Sequence, residues 1–60
     1  MANIYCLAYT FIVGGQTIKE QEMFQAVDDT TAVTEANSRL DDIPNPSNSK
    51  LFSMGTEIDL

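Results

Sequence analysis

The sequence predicts a small α+β fold whose elements follow one another in the order β-β-α-β. Three observations predict it: an uncharged apolar run at residues 4–13, the pair Gly14-Gly15 directly after that run, and a helix start at Asp28 followed by helical periodicity. We expect one small α+β domain over residues 1–60. It should be a three-stranded sheet of order 2-1-3 with one helix on one face, both outer strands running antiparallel to the first strand.

The first strand is the most unusual segment because both of its faces are apolar. The larger face carries Tyr5, Leu7, Tyr9, Phe11 and Val13, and the smaller face carries Ile4, Cys6, Ala8 and Ile12. A chain of 60 residues can usually cover only one face of such a strand. The pattern therefore predicts a central strand whose second face is buried by another copy of the chain or by a partner.

The Gly14-Gly15 pair predicts a hairpin, because glycine takes positive φ at both loop positions without strain. The second strand should run over residues 16–27, and its charged side chains suit a sheet edge. The register is open at this stage. A strict two-residue loop places Glu20 and Glu22 beside Tyr9 and Leu7, whereas a one-residue slip places Gln21 and Met23 there.

A helix is predicted to start within residues 28–31, where Asp29 or Thr30 can cap the first turn, and to run to about Leu40. Its apolar stripe is narrow and made largely of small residues: Ala32, Val33, Ala36 and Leu40. A polar loop over residues 41–49, stiffened by two prolines, should lead to a half-buried final strand over residues 50–60. Nine residues exceed the commonest connections of about four to six, so the loop is either a functional contact or a plain polar connector from the helix to the last strand.

Pairing of the final strand with the first puts the charge-free strand in the centre of the sheet. The other order would bury Glu20 and Glu22 and leave the apolar strand at an edge, so we reject it. The narrow helix stripe fits best over the smaller face of the first strand, which leaves the aromatic face open. The predicted oligomer interface is therefore Tyr5, Leu7, Tyr9, Phe11, Phe52 and Met54. The alternative is that the aromatic face is the intramolecular core and the smaller face is solvated.

Composition excludes several classes of function. Nine acidic and three basic residues give a net charge of −6, which argues against binding a nucleic-acid backbone. One cysteine and no histidine exclude an internal disulfide and a zinc site of the usual type, and no cofactor is indicated. Cys6 is interpreted as a small hydrophobic residue without a base to activate it, so an enzyme is not expected.

The apolar run is not interpreted as a secretory signal, since no basic residue occurs before Lys19. It is also shorter than the roughly 20 residues needed to span a bilayer. We therefore expect a cytoplasmic protein that does not contact a membrane.

The function that fits these observations is stoichiometric binding by a homo-oligomer. A compact acidic chain without catalytic groups resembles, in general style and not in any motif, the small proteins with which phages and mobile elements block host factors. We therefore expect an inhibitor or adaptor of a host protein that has a basic surface. The predicted partner-binding residues are Asp28, Asp29, Asp41, Asp42 and Asp59, with Asp28, Asp29, Glu57 and Asp59 at one end of the sheet. The alternative is a protein that sequesters a small ligand at subunit junctions.

Overall fold

The structure is a computed structural model that describes residues 2–60. Its elements, in chain order, are β1 (Asn3–Val13), β2 (Gln16–Ala26), α1 (Asp29–Asp41), β3 (Ser47–Ser53) and β4 (Thr56–Ile58). The strands form a four-stranded sheet of order β2-β1-β3-β4, and each neighbouring pair is antiparallel. The predicted α+β class and the order 2-1-3 are confirmed, and a fourth strand is added at the edge beside β3.

The first hairpin has the strict register. Val13 pairs with Gln16, and the loop residues Gly14 and Gly15 have φ values of 58° and 81°. Positive φ at both positions is the geometry of the type I′ turn, whose twist matches that of the flanking strands. The pairing places Glu22 opposite Leu7 and Glu20 opposite Tyr9. Both glutamates therefore share the face of β1 that carries the aromatic residues.

A second hairpin interrupts the predicted final strand. Ser53 pairs with Thr56 across a loop of Met54 and Gly55, whose φ values are 49° and 86°. The prediction of one strand over residues 50–60 is wrong because this turn reverses the chain, and Thr56 starts the short strand β4. Because the alternation of apolar and polar residues continues through the turn, the pattern alone does not distinguish two strands from one.

The connection between α1 and β3 is shorter than predicted. Strand β3 begins at Ser47, so residues 42–46 form the loop, which is an ordinary length for such a connection. The early part of β3 contains an irregularity, because Ala8 pairs with Lys50 while Thr10 pairs with Ser47. Within this bulge Asn48 has a φ of 54°, a conformation that asparagine tolerates better than most residues. The length of this loop therefore gives no indication of function.

The helix begins in the predicted segment, but its cap lies one residue before the nearer of the predicted cap residues, Asp29 and Thr30. Asp28 is the N-cap, with extended backbone, and its Oδ1 accepts a hydrogen bond of 2.7 Å from the backbone N–H of Thr31. Hydrogen bonds to Thr31, led by this one, lower the pKa of the Asp28 carboxyl. At the other end Asp42 is the C-cap, and its backbone N–H donates to the carbonyl of Arg39 at 3.2 Å. Ala32 and Ala36 are fully buried against the sheet.

The helix covers the aromatic face of β1, so the predicted choice of face is wrong. Tyr5, Leu7 and Tyr9 are respectively 1%, 0% and 7% exposed, and Leu51 of β3 completes this core at 0%. Small residues on the helix let its backbone approach closely, and the large side chains of the sheet fill the space beneath. The polar tips of the tyrosines are also satisfied, because the Tyr5 hydroxyl donates to Asp29 Oδ1 at 2.7 Å.

A polar cluster at the margin of the core explains why glutamate is tolerated on the helix side. The Tyr9 hydroxyl donates to Glu22 Oε2 at 2.6 Å, and Arg39 donates to Glu22 Oε1 at 2.8 Å. Arg39 also pairs with Glu35 one helical turn away and lies 4.9 Å from the centre of the Phe24 ring. Across residues 2–60, no buried side-chain nitrogen or oxygen lacks a hydrogen-bond partner.

Candidate functional site

The face of the sheet opposite α1 is called here the open face. Alternate residues of β1 point to it, together with the residues that pair with them on the neighbouring strands. Its members on the two central strands are Ile4, Cys6, Ala8, Thr10, Ile12, Ser47, Lys50 and Phe52. Its members on the outer strands are Thr17, Lys19, Gln21, Met23, Gln25 and Glu57. No element among residues 2–60 covers this face.

One end of the open face is apolar, and we call it the apolar patch: Ile4, Cys6, Met23, Phe52 and Met54. Ile4, Met23 and Met54 are exposed by 52%, 70% and 94%. With Gly55, the five residues line a shallow concavity of about 240 Å³. Cys6 is a partly exposed free thiol that pairs directly with Phe52 across the two central strands. A contiguous exposed patch of this kind is typical of an interaction surface.

The other end of the open face is polar and carries lysines. Lys19 pairs with Thr10, and Lys50 pairs with Ala8, so the two ammonium groups flank the central strand. The Thr10 hydroxyl donates to the carbonyl of Ser47 at 3.0 Å, which fixes this polar end beside the bulge of β3. Among the residues that the described strands place on the open face, Glu57 is the one acid.

Most acidic residues of the chain lie away from the open face. Glu20 and Glu22 share the helix side of the sheet with the core. Asp28, Asp29, Glu35 and Asp41 belong to α1 or to its N-cap, and Asp42 is its C-cap. The two sides of the molecule therefore differ in charge. The helix side is acidic, whereas the strand residues of the open face are weakly basic.

The predicted oligomer interface is divided between the two sides of the sheet. Tyr5, Leu7 and Tyr9 are buried beneath α1, and Phe11 is half-buried against the same core. These four residues are unavailable to a second subunit in the folded chain, so that part of the prediction is wrong. Phe52 and Met54 do lie on the uncovered side. The sequence reasoning missed their neighbours Ile4, Cys6 and Met23, whose signal was the smaller apolar face of β1 and its partner on β2.

The predicted partner-binding acids do not form one cluster. Asp28 and Asp29 lie at the start of α1, while Asp41 and Asp42 lie at its far end, 13 residues away. That length corresponds to about 20 Å. Asp59 follows β4, on the sheet edge opposite to β2. The common acidic end is wrong because the Met54-Gly55 turn reverses the chain before Glu57 and Asp59.

Three ionisable groups of the polar cluster at the core margin have shifted pKa values. The hydrogen bond to Glu22, followed by burial, raises the pKa of Tyr9 to about 12. The same bond, followed by that from Arg39, lowers the pKa of the Glu22 carboxyl. Hydrogen bonds to Glu22 and then Glu35 raise the pKa of the Arg39 guanidinium. Each group is held in its ordinary charge state at neutral pH, which suits a structural role.

Residues 2–60 contain no group of His, Cys, Asp and Glu side chains that could hold a metal ion. The described part of the chain also has no helix with the length and apolar character needed to cross a bilayer. No protein family model, curated protein or solved structure matches the sequence. Function is therefore inferred from the residues of this chain alone.

Proposed function

We propose that this protein is a non-enzymatic binding protein that acts by stoichiometric contact with another protein through its open face. The observation that carries the proposal is Met54. It is 94% exposed and has a φ of 49°, in a loop position where the first hairpin has glycine. Methionine at positive φ costs conformational energy, and the fold gives this side chain almost no contact in return. Contact with a second molecule at the apolar patch accounts for its presence.

The shape of the apolar patch supports a protein partner over a small ligand. Its concavity is shallow, and its volume of about 240 Å³ is below the range of roughly 300–1,000 Å³ common for ligand pockets. A surface of exposed methionines, by contrast, adapts well to a protein partner. A small-ligand-sequestering protein is the alternative, and it requires a second subunit to close the concavity.

A host partner with a basic surface would meet the helix side of the molecule. The acids of α1 and its caps lie there, whereas the open face carries Lys19 and Lys50. We propose that the protein is a cytoplasmic inhibitor or adaptor of the kind phages and mobile elements use, with Asp41 and Asp42 at the end of α1 as its acidic contacts. Reversal of Asp41 and Asp42 to lysine should weaken such binding, with a steep dependence on salt.

Native mass spectrometry of the protein purified under mild conditions tests the mode of action. A complex of protein mass that is lost in Met23→Lys and kept in Thr34→Lys is the expected result. Both variants introduce the same charge, but Thr34 lies on the exposed side of α1. A small-molecule mass increment on the protein would support the alternative. A bare monomer under all conditions would contradict the proposal.

A further inference from the structure

We propose that the open face is covered by a second copy of this chain. The two sheets pack face to face, and the two-fold axis runs along the strands between β1 and β3. The inference rests on the proposed function only in taking the open face as the contact surface. It adds the identity of the occupant and its orientation.

The extent of the open face favours an occupant of the same size and shape. The molecule measures 41 × 20 × 16 Å along its principal axes, and β1 has 11 residues. The open face therefore offers roughly 500–700 Å² before side-chain relief is counted. Stable interfaces bury roughly 800 Å² on each partner. A partner must cover nearly the whole face, as an identical twisted sheet does when the strands are nearly aligned.

The apolar patch is complementary to itself about the proposed axis. Cys6 and Phe52 pair across β1 and β3, and Ile4 and Met54 line the same concavity at the next step along these strands. A two-fold axis between the strands exchanges the members of each pair. Phe52 of one copy then lies over Cys6 of the other, and Met54 lies over Ile4. Such mutual contact is what an isologous interface requires.

An axis perpendicular to the strands fits less well. With full overlap of the sheets, it would place the apolar patch of one copy over Thr10 and Lys19 of the other. Burial of Lys19 against the apolar patch would cost free energy without a compensating ion pair. The aligned arrangement keeps the apolar ends together and leaves Lys19 near the sheet margin, where its ammonium group reaches water. It places Lys50 over Ala8 of the other copy, whose small side chain leaves room for the lysine stem.

Charge also favours the open face as the surface for self-association. Each chain carries a net charge of −6, so two copies repel one another on average. The helix side concentrates the acids, and a dimer built there would bring like charges together. The open face carries two lysines and Glu57 on its strands. Two copies approach most easily through this face.

The salt dependence separates self-association from binding of a basic partner. Stacking two acidic chains is opposed by repulsion, which added salt screens. The dissociation constant of the dimer should therefore fall as the salt concentration rises. A basic partner held by the acids would show the opposite trend.

Cys6 provides a direct test of which face is covered, because it lies beside the proposed axis on the open face. Facing sheets pack about 10 Å apart with side chains filling the space between them, so the dimer should shield the Cys6 thiol from a maleimide. The expected result is slow alkylation of Cys6 at the concentrations where sedimentation velocity gives a dimer mass, and fast alkylation after dilution to the monomer. The matched control is Cys6→Ser with Ser38→Cys, which moves the thiol to an exposed position on α1 and should be alkylated at the same rate at both concentrations.

Two substitutions in the apolar patch complete the experiment. Met54→Asn and Met23→Lys should each weaken dimerisation by roughly tenfold or more. Their circular dichroism should remain that of the folded chain, because both side chains are largely exposed in one copy. Thr34→Lys on the helix is the control for added charge and should leave the dimer mass unchanged.

A monomer mass for the unmodified chain at high micromolar concentration would overturn the inference. So would a dimer that leaves Cys6 fully reactive and is indifferent to Met23→Lys, because its interface lies elsewhere. If the chain alone is a monomer but a different protein protects Cys6 from alkylation, then a second copy is not what covers the open face. The proposed function, contact with a protein through this face, would still hold. If the purified complex leaves Cys6 fully reactive, both the occupant and the proposed contact surface are wrong.

Discussion

Met54→Asn should stabilise the fold of the single chain while it weakens association. The backbone at Met54 has a φ of 49°, in the left-handed region that costs most L-residues about 1–2 kcal/mol. Asparagine is enriched several-fold there, which corresponds to roughly 0.5–1 kcal/mol in its favour. Because Met54 is 94% exposed, its removal deletes almost no contact within the chain.

The net gain expected in the free energy of unfolding is therefore about 0.5–1 kcal/mol, or a rise in Tm of roughly 4–8 °C for a domain of this size. The measurement is thermal and urea unfolding followed by circular dichroism. It should be made in the Met23→Lys background, so that dimerisation does not contribute to the apparent stability.

Ile4→Asn in the same background is the matched control. Ile4 is also largely exposed, at 52%, but it lies in regular strand backbone. Asparagine is unfavourable in strands, so this variant should lose stability. A loss of stability in Met54→Asn comparable with that of the control would refute the reasoning. It would mean that the methionine makes contacts in the single chain that outweigh its backbone cost.

Three further predictions concern the core and its polar margin. Leu51→Ala removes a fully buried side chain and should cost about 2–5 kcal/mol, enough to unfold much of a small domain in a urea titration. Tyr9→Phe should cost about 0.5–1.5 kcal/mol at neutral pH. Because the folded pKa of Tyr9 is raised to about 12, its stabilisation is complete below about pH 10 and is lost as the pH approaches 12. In unfolding curves, the Tyr9→Phe variant should therefore lose less stability than the unmodified chain as the pH approaches 12. Glu22 has a lowered pKa in the folded chain, so its stabilisation is present above about pH 4.3 and disappears on further acidification. Glu22→Gln should show a flatter loss of stability in acid, and an unchanged acid profile would contradict the proposed role of the carboxylate.

The features that were predicted correctly are those that depend on short stretches of the sequence. The loop glycines fixed the first hairpin, because only residues that accept positive φ serve a two-residue loop of that geometry. The uncharged run required a central strand, and the charged second strand required an edge. The run from Asp28 to Thr31 marked the start of the helix through its capping chemistry, although it did not identify the cap residue. Each of these signals depends on a few neighbouring residues and is insensitive to tertiary packing.

The choice of sheet face could not be made in this way, because both faces of β1 are apolar. The deciding terms are tertiary: Ala32 and Ala36 leave room for large side chains beneath the helix, and Asp29 and Glu22 accept the hydroxyls of Tyr5 and Tyr9. Those acceptors come from elements distant in sequence, so a period-two pattern does not contain them.

The fourth strand was missed for a different reason. A two-residue loop that begins with methionine lacks the asparagine or glycine that usually marks a type I′ turn. The candidate site was therefore recovered only in part, through Phe52 and Met54. Its other members became visible once the helix was located on the aromatic face.

The unequal strand lengths bear on the order in which the fold assembles. The β1–β2 hairpin pairs residues adjacent in the chain along two strands of 11 residues, whereas β3 has 7 and reaches β1 only after the helix. Local hairpins close in about 1–10 μs, while contacts between distant residues wait for longer loops to close. The hairpin is thus the natural nucleus, and the docking of β3 is the late step. Until β3 docks, one edge of the charge-free strand β1 is unpaired, so the chain is most prone to aggregation during this interval.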